Sequence, residues 1–288
     1  MPSGLVLVDK PQGFTSHDVV AKLRKVLGTK KIGHAGTLDP MATGLLLLGV
    51  DSGTKLLTFL VGADKTYEAR IRLGQSTVSD DAEGEVLSST SALHLNRAVI
   101  ETEIAKLTGR ISQVPSAVSA IKVDGKRAYD LVREGKEVEL KSREVEVTRF
   151  ELVSEIAIVD EFLEFDVVVD CSSGTYIRAL ARDLGESLGV GGHLRALRRT
   201  RIGEYQIEKA STLDQDPVLL GLTEAAAKIY PIAELTDQQA IDLVHGKRLA
   251  ISSTGMLSAI YKGKLIGILE PTGSSYKSLV VFPEALNG

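Results

Sequence analysis

The sequence predicts an α+β fold with a small β-rich domain at its C-terminal end, and three observations carry that expectation. Segments alternating with a period of two, Tyr67 to Leu73, Val145 to Leu152 and Phe162 to Val169, lie among segments of helical period. They follow no regular strand-helix-strand repeat, which a doubly wound sheet requires. Beyond Tyr230-Pro231, four short β-rich segments recur with the spacing of a small β-barrel. The length of 288 residues suits one large and one smaller domain, and 43% hydrophobic with 25% charged residues is a globular composition.

In chain order, Leu5 to Val8 is a short apolar strand that ends at Asp9-Lys10-Pro11 and a turn at Gly13. Thr15 and Asp18 have capping-box spacing, and Val19, Val20, Leu23, Val26 and Leu27 then share one helical face before Gly28 ends it. After a glycine-rich loop, Ser52 to Leu60 reads as a second helix. In Tyr67 to Leu73, Tyr67, Ala69, Ile71 and Leu73 point one way and Glu68, Arg70 and Arg72 the other. His94 to Leu107 is an amphipathic helix stopped by Gly109, and Tyr176 to Leu188 is a further helix. Residues 114 to 143 form a charged excursion with a turn at Asp124-Gly125. Proline at 231 disfavours helix at Tyr230, which puts a seam between 1–230 and 231–288. The β-rich segments beyond it are Arg248 to Ile251, Leu257 to Tyr261, Leu265 to Leu269 and Ser278 to Phe282.

No apolar run approaches the roughly 20 residues of a bilayer span, and the N-terminus has no basic region ahead of a hydrophobic one. A cytoplasmic location is expected. One cysteine, Cys171, cannot close an internal disulfide, and the five histidines show no metal-ligand spacing, so no metal is expected. There are 34 Lys plus Arg against 38 Asp plus Glu, a net charge of −4, but the charges are segregated. Lys22, Arg24, Lys25, Lys30 and Lys31 occupy a stretch without acids, and Arg178, Arg182, Arg195, Arg198, Arg199 and Arg201 dominate another. Glu151 to Asp170 carries seven acidic residues and no basic one. Such runs are usually solvated faces, yet two basic runs beside glycine-rich motifs point toward a polyanionic partner.

The stretch Gly33-His34-Ala35-Gly36-Thr37-Leu38-Asp39-Pro40-Met41-Ala42-Thr43-Gly44 is the most unusual. Glycines and a proline specify a backbone shape, and one carboxylate lies inside it. A phosphate loop would end in Gly-Lys-Ser/Thr, which is absent here. Asp39 before Pro40 is equally able to start a turn, so the residues alone leave catalysis and turn formation open.

These blocks resemble the bacterial tRNA pseudouridine-55 synthases of the TruB type. The resemblance is carried by Val8-Asp9-Lys10-Pro11 with Gly13, by the loop from Gly33 to Gly44, and by Lys65-Thr66-Tyr67 leading into Arg70-Ile71-Arg72-Leu73-Gly74. It continues in Gln113-Val114-Pro115-Ser116, Ser119 to Lys122, Cys171 to Arg178, Asp183-Leu184-Gly185 and His193 to Arg199. It implies a pseudouridine synthase fold with a mixed, largely antiparallel central sheet, a mobile thumb over 114–143 and a PUA-like RNA-binding domain over 231–288. It implies isomerisation of one uridine in the TΨC loop of tRNA, with no cofactor, no obligate protein partner and action as a monomer.

On this mapping Asp39 is the catalytic aspartate, Tyr67 packs on the target base and Arg178 pairs with Asp39. Tyr176 and Leu197 line the pocket, His34 takes the place of the extruded nucleotide, and Lys10 and Lys65 bind substrate. Without the motifs, Tyr67 is an ordinary strand tyrosine, Arg178 a solvated arginine, His34 a turn residue, and Tyr176 and Leu197 core residues. A carboxylate can attack the sugar, attack the base or remove a sugar proton, and the sequence leaves these routes open. The alternatives from other classes are a non-catalytic tRNA-binding or folding protein on the same scaffold, a guide-RNA-dependent synthase subunit and a phosphoryl-transfer enzyme.

Overall fold

The structure, a computed structural model, describes residues 3–116 and 140–286, with the backbone pairing of 122–123 and 126–127 between them. Most of the expected thumb, 114–143, lies outside the described residues. The chain runs β1 (Gly4–Lys10), α1 (Ser16–Leu27), β2 (Ile32–Ala35), β3 (Thr43–Val50), a 3-10 helix (Asp51–Leu56), α2 (Leu57–Val61), β4 (Lys65–Leu73), β5 (Gln75–Thr77), β6 (Val86–Ser89), α3 (Arg97–Lys106) and β7 (Gly109–Gln113). It continues through β8 (Lys122–Val123), β9 (Lys126–Arg127), β10 (Arg143–Leu152), β11 (Ala157–Val159), β12 (Phe162–Cys171), α4 (Ile177–Ser187), β13 (Gly192–Ile202) and β14 (Tyr205–Gln206). The last elements are β15 (Leu219–Gly221), α5 (Leu222–Ala227), β16 (Ile232–Glu234), α6 (Asp237–Val244), β17 (Leu257–Tyr261), β18 (Lys264–Thr272) and β19 (Ser275–Val281). The fold is α+β, mixed and largely antiparallel: β16 and β17 pair parallel, while the ladders of β1 with β3 and of β4 with β12 are antiparallel.

The chain separates into two units. The first comprises Met1–Pro40, Gly44–Val61 and Gly203–Gly288. In it, β1 pairs with β3 and β15, and β2 pairs with the other edge of β3. Helix α1 forms because Thr15 and Asp18 close a capping box and because its apolar residues recur at helical spacing. It ends at Gly28, whose φ of 63° suits a left-handed cap. Val19, Val20 and Leu23 pack on Val6, Val8, Ile32, Leu46, Leu48 and Val50. Each such side chain, fully buried, stabilises by roughly 1.5–3 kcal/mol. A second core in this unit seats α6 on the C-terminal sheet through Ala240, Leu243, Leu257, Ala259, Ile266 and Tyr276.

That sheet has the order β16-β17-β18-β19, and among the described residues no pairing of β16 with β19 closes it into the expected barrel. Arg248 to Ile251, expected as a strand, contributes one isolated bridge, Leu249 with Tyr276. The helix expected over Ser52 to Leu60 divides into the 3-10 helix and α2. A Cβ at Gly53 would lie 1.9 Å from the Gly4 carbonyl oxygen, so this turn is pressed against β1 more closely than any other residue permits.

The second unit comprises Met41–Thr43 and Gly62–Ile202. Its centre is β4, paired with β13 on one side and β12 on the other. Strand β12 pairs with β10, and β10 with β7. Helix α4 covers this sheet with Ala179, Leu180, Ala181 and Leu184, all fully buried. The helix meets β13 at Gly185, whose carbonyl accepts from the amides of Val190 and Gly191 at 3.0 Å each. A Cβ at Gly185 would stand 2.1 Å from the Gly192 nitrogen, against backbone that cannot yield. Gly185→Ala should therefore lower stability by about 1–3 kcal/mol, the usual cost of overpacking a tight contact, read as a lower midpoint in chemical denaturation.

Candidate active site

Asp39 is half-buried in residues 36–42, a segment with no helix or strand of its own. Its neighbours on both sides are held by residues from the first seventeen positions. On the C-terminal side, the Pro40 carbonyl accepts from the Gly13 amide at 2.9 Å and from Lys10 Nζ at 3.4 Å. The same ammonium donates to the carbonyls of Phe14 (2.6 Å) and Pro11 (3.0 Å), and Lys10 is 0% exposed. Lys10 therefore ties the end of β1, the turn after it and the Asp39 loop into one knot. On the N-terminal side, Ser16 Oγ accepts from the Leu38 amide at 2.9 Å and donates to the Leu38 carbonyl at 3.2 Å. His34, half-buried on β2, meets His17 edge to face with ring centroids 5.7 Å apart.

In the second unit, Lys65, Tyr67, Ala69 and Ile71 alternate onto one face of β4, all buried. Directly opposed residues in an antiparallel ladder share a face, so Arg199 stands beside Tyr67, and Leu197 beside Ala69. On the other flank, Val169 opposes Tyr67 and Cys171 opposes Lys65. Lys65 and Arg199 are 6% and 1% exposed, so two cations line this face together with an aromatic ring. Burial, aided by repulsion from Arg199, pulls the Lys65 ammonium down to about 8. Burial pushes the Cys171 thiol up to about 11, so it is an inert core group at neutral pH.

Tyr176 is the N-cap of helix α4. The Tyr176 amide donates to Gln113 Oε1 at 2.8 Å, and Gln113 Nε2 donates back to the Tyr176 carbonyl at 3.1 Å. The Arg143 guanidinium sits 5.5 Å from the centre of the Tyr176 ring. Two residues on, Arg178 is buried, with Nη1 donating to the Ser79 carbonyl at 2.7 Å and lying 3.3 Å from Asp81. Arg182 reaches Asp80 at 3.2 Å and Asp183 at 2.7 Å. Burial raises the carboxyls of both Asp80 and Asp183, while Arg182 acts in the opposite direction.

Residues 24–177 match the family model described as TruB family pseudouridylate synthase (N terminal domain), and residues 178–218 match the tRNA pseudouridylate synthase B C-terminal domain. The chain belongs to the TruB family. It is 53% identical to a tRNA pseudouridine synthase B of Leifsonia xyli subsp. xyli, over 98% of this chain and 97% of the relative. It is 50% identical to the protein of the same name from Arthrobacter sp. (strain FB24), with the same coverage of both. Among solved structures, a Cbf5-Nop10-Gar1 complex shares the fold with a TM-score of 0.69 at 24% identity, covering 96% of this chain and 84% of that chain.

Within this TruB-family chain, the sequence-predicted residues fall into two sets. Asp39, His34 and Lys10 lie in the first unit, and Lys65, Tyr67, Tyr176, Arg178 and Leu197 in the second. Lys10, expected to bind substrate, donates to the carbonyls of Pro11, Phe14 and Pro40. Lys65 likewise donates to the Ala63 carbonyl, at 2.5 Å. Sequence reasoning gave no role to Ser16, which is bonded to the Leu38 backbone in the first unit, or to Gln113, Asp80, Asp81 and Arg199, which are buried in the second. The run Ser79-Asp80-Asp81 was the available signal, since two adjacent acids in an otherwise β-rich region need cations if they are buried.

Among the described residues, no group of three or more His, Cys, Asp and Glu is placed to hold a metal ion, and no helix is long and apolar enough to cross a membrane. The buried ammonium of Lys65 has a consequence for stability. Its proton affinity falls from 10.5 unfolded to about 8 folded, so between those values the folded state binds fewer protons than the unfolded one. Stability should then rise with pH through that window. Relative to Lys65→Met, the wild type should gain about 2–4 kcal/mol between pH 7 and pH 11, at roughly 1.4 kcal/mol per pH unit. Paired denaturant titrations across the range check it, and a difference that stays flat with pH would show that Lys65 is solvated.

Proposed function

We propose that this chain isomerises uridine to pseudouridine in the TΨC loop of tRNA, at position 55, with Asp39 as the catalytic carboxylate. The observation that carries the reading is the pinned loop: in a chain of this family, the one half-buried aspartate of the glycine-rich motif has both of its neighbours fixed by buried donors. Such fixing fits a group that must meet a reacting atom within a fraction of an ångström.

The reaction breaks the bond from N1 of uracil to the sugar, turns the base, forms a bond from C5 to the same sugar carbon, and transfers the C5 proton to N1. Atoms and electrons balance within one nucleotide, so neither an oxidant nor a cofactor is needed. Asp39 attacks the sugar or the base, or removes a sugar proton. The target base leaves its stack at a cost of a few kcal/mol, and stacking on the Tyr67 ring offsets this. Arg178 pairs with Asp39, Tyr176 and Leu197 wall the base, and His34 fills the place it leaves. Residues 231–288 act as a PUA-like module with Lys247, Arg248, Lys262 and Lys264 toward phosphate. The enzyme acts in the cytoplasm, as a monomer and without an obligate protein partner. A lone buried thiol, Cys171, is in keeping with a reducing compartment.

Two experiments test the reading. Purified Asp39→Asn, incubated with an unmodified tRNA transcript, should make no pseudouridine at the mapped position while binding the tRNA within about twofold of wild type; turnover by this variant would sink the assignment. For Tyr67, the Phe variant should bind and flip the base nearly normally yet isomerise ~100- to 10,000-fold more slowly if the phenol takes the C5 proton. The Leu variant should lose about 1–3 kcal/mol of stacking in base-flipping fluorescence. Wild-type rates with Phe leave stacking alone as the role of Tyr67.

A further inference from the structure

We propose that Ser16 is a positioning residue for Asp39, acting through the peptide plane that joins Leu38 to Asp39; this rests on the reading of Asp39 as the catalytic carboxylate. Four rotations decide where that carboxylate points: φ and ψ of Asp39, and its two side-chain torsions. Pro40 restricts ψ, because a residue before proline is held in the extended region. The φ angle is set by how the preceding peptide plane lies, and that plane contains the Leu38 carbonyl and the Asp39 amide. Ser16 Oγ is bonded to this carbonyl at 3.2 Å and to the Leu38 amide at 2.9 Å, so it grips the backbone immediately ahead of Asp39 by two groups at once.

The grip is worth only as much as the rigidity of Ser16 itself, and the sequence supplies that. Ser16 is the first residue of α1 and is 1% exposed. The helix start is locked by the Thr15–Asp18 capping box, in which the Asp18 amide donates to Thr15 Oγ1 at 3.1 Å and the Thr15 amide to Asp18 Oδ2 at 2.8 Å. The rest of the helix is fixed by Val19, Val20 and Leu23 in the core under β1 and β3. A hydroxyl has one proton and two acceptor positions, so serine can both donate to a carbonyl and accept from an amide with a side chain of two heavy atoms. Alanine can do neither, and cysteine does both weakly. Lys10 and Gly13 hold the Pro40 carbonyl, on the other side of Asp39.

The test compares Ser16→Ala, Ser16→Thr and Asp39→Asn in the full chain with an unmodified tRNA transcript. Three quantities are measured: the single-turnover rate at saturating enzyme, the tRNA dissociation constant, and hydrogen exchange at the Leu38 amide in the free protein. Ser16→Ala should slow the single turnover by about 10- to 100-fold, as expected for a displacement near 1 Å, with the dissociation constant within about twofold of wild type. Its Leu38 amide should exchange at least about tenfold faster. Ser16→Thr keeps the hydroxyl and should recover most of the rate and the protection. If Ser16→Ala melts below the assay temperature, Ser16→Cys carries the same readouts with a weakened grip.

A wild-type rate in Ser16→Ala, unchanged exchange at Leu38, or equal losses of rate and affinity in the Ala and Thr variants would each overturn the proposal. Turnover by Asp39→Asn would instead remove the reading of Asp39, and it is separable because the exchange measurement does not depend on activity.

Discussion

The ammonium of Lys10, with no exposed surface and shared among the carbonyls of Pro11, Phe14 and Pro40, is the contact on which the Asp39 loop depends. A buried charge without partners costs several kcal/mol, so the ammonium must find acceptors wherever the chain offers them. Segment 36–42 has no ladder, and its carbonyls in turn need donors. Each satisfies the other. The end of β1 brings Lys10, the turn at Gly13 brings a free amide, and the start of α1 brings Ser16. The motif around Asp9-Lys10-Pro11 is thus a frame for a carboxylate nearly thirty residues away, and removing one member leaves the others with unpaired polar groups rather than with a harmless gap.

A second constraint concerns charge. A chain of net charge −4 is an odd partner for a polyanion until the acidic run from Glu151 to Asp170 is placed. On β12, Asp166 pairs with Arg70 at 2.7 Å, Glu164 with Arg72 at 2.6 Å, and Asp170 lies 3.6 Å from Arg201. Asp80 and Asp81 are likewise consumed by Arg182 and Arg178 inside the second unit. These acids steady the sheet and the helix that carry Tyr67 and Arg178, and their fields are largely cancelled at short range. Lys22, Lys25, Lys30 and Lys31, by contrast, are exposed on α1 and the segment after it. Net charge therefore misstates what a phosphate backbone meets, because screening leaves only charges within about 10 Å to act.

What was legible in the sequence was what is local. The capping box at Thr15, the stop at Gly28 and the alternation in β4, β10 and β12 all stand in the structure because each is decided within a few residues. The helix read from His94 begins at Arg97, since Asn96 Oδ1 accepts from the Val99 amide and so caps it. Strand β3 escaped notice as a strand because Leu45 to Leu48 are buried on both faces and show no alternation. Strand β13 escaped for a different reason: irregularities between Leu194 and Ala196 and between Arg199 and Arg201 break its period, and its arginines read as a solvated run.

The same division holds for the site. Motif order points to Asp39, Tyr67 and Arg178, whereas Ser16 and Asp81 stand outside the motif blocks and Gln113 and Arg199 stand inside them with no role that the motifs supply. Here each is almost wholly buried: Ser16 against Leu38, Gln113 against Tyr176, Asp81 beside Arg178, and Arg199 beside Tyr67. A polar group is taken out of water only where something fixed must be bonded to it, and the groups so bonded are the backbone and side chains adjoining the proposed catalytic set. Burial of the polar residues thus outlines a supporting layer that motif reading passes over, since the motifs name what touches substrate and the burial shows what holds it still.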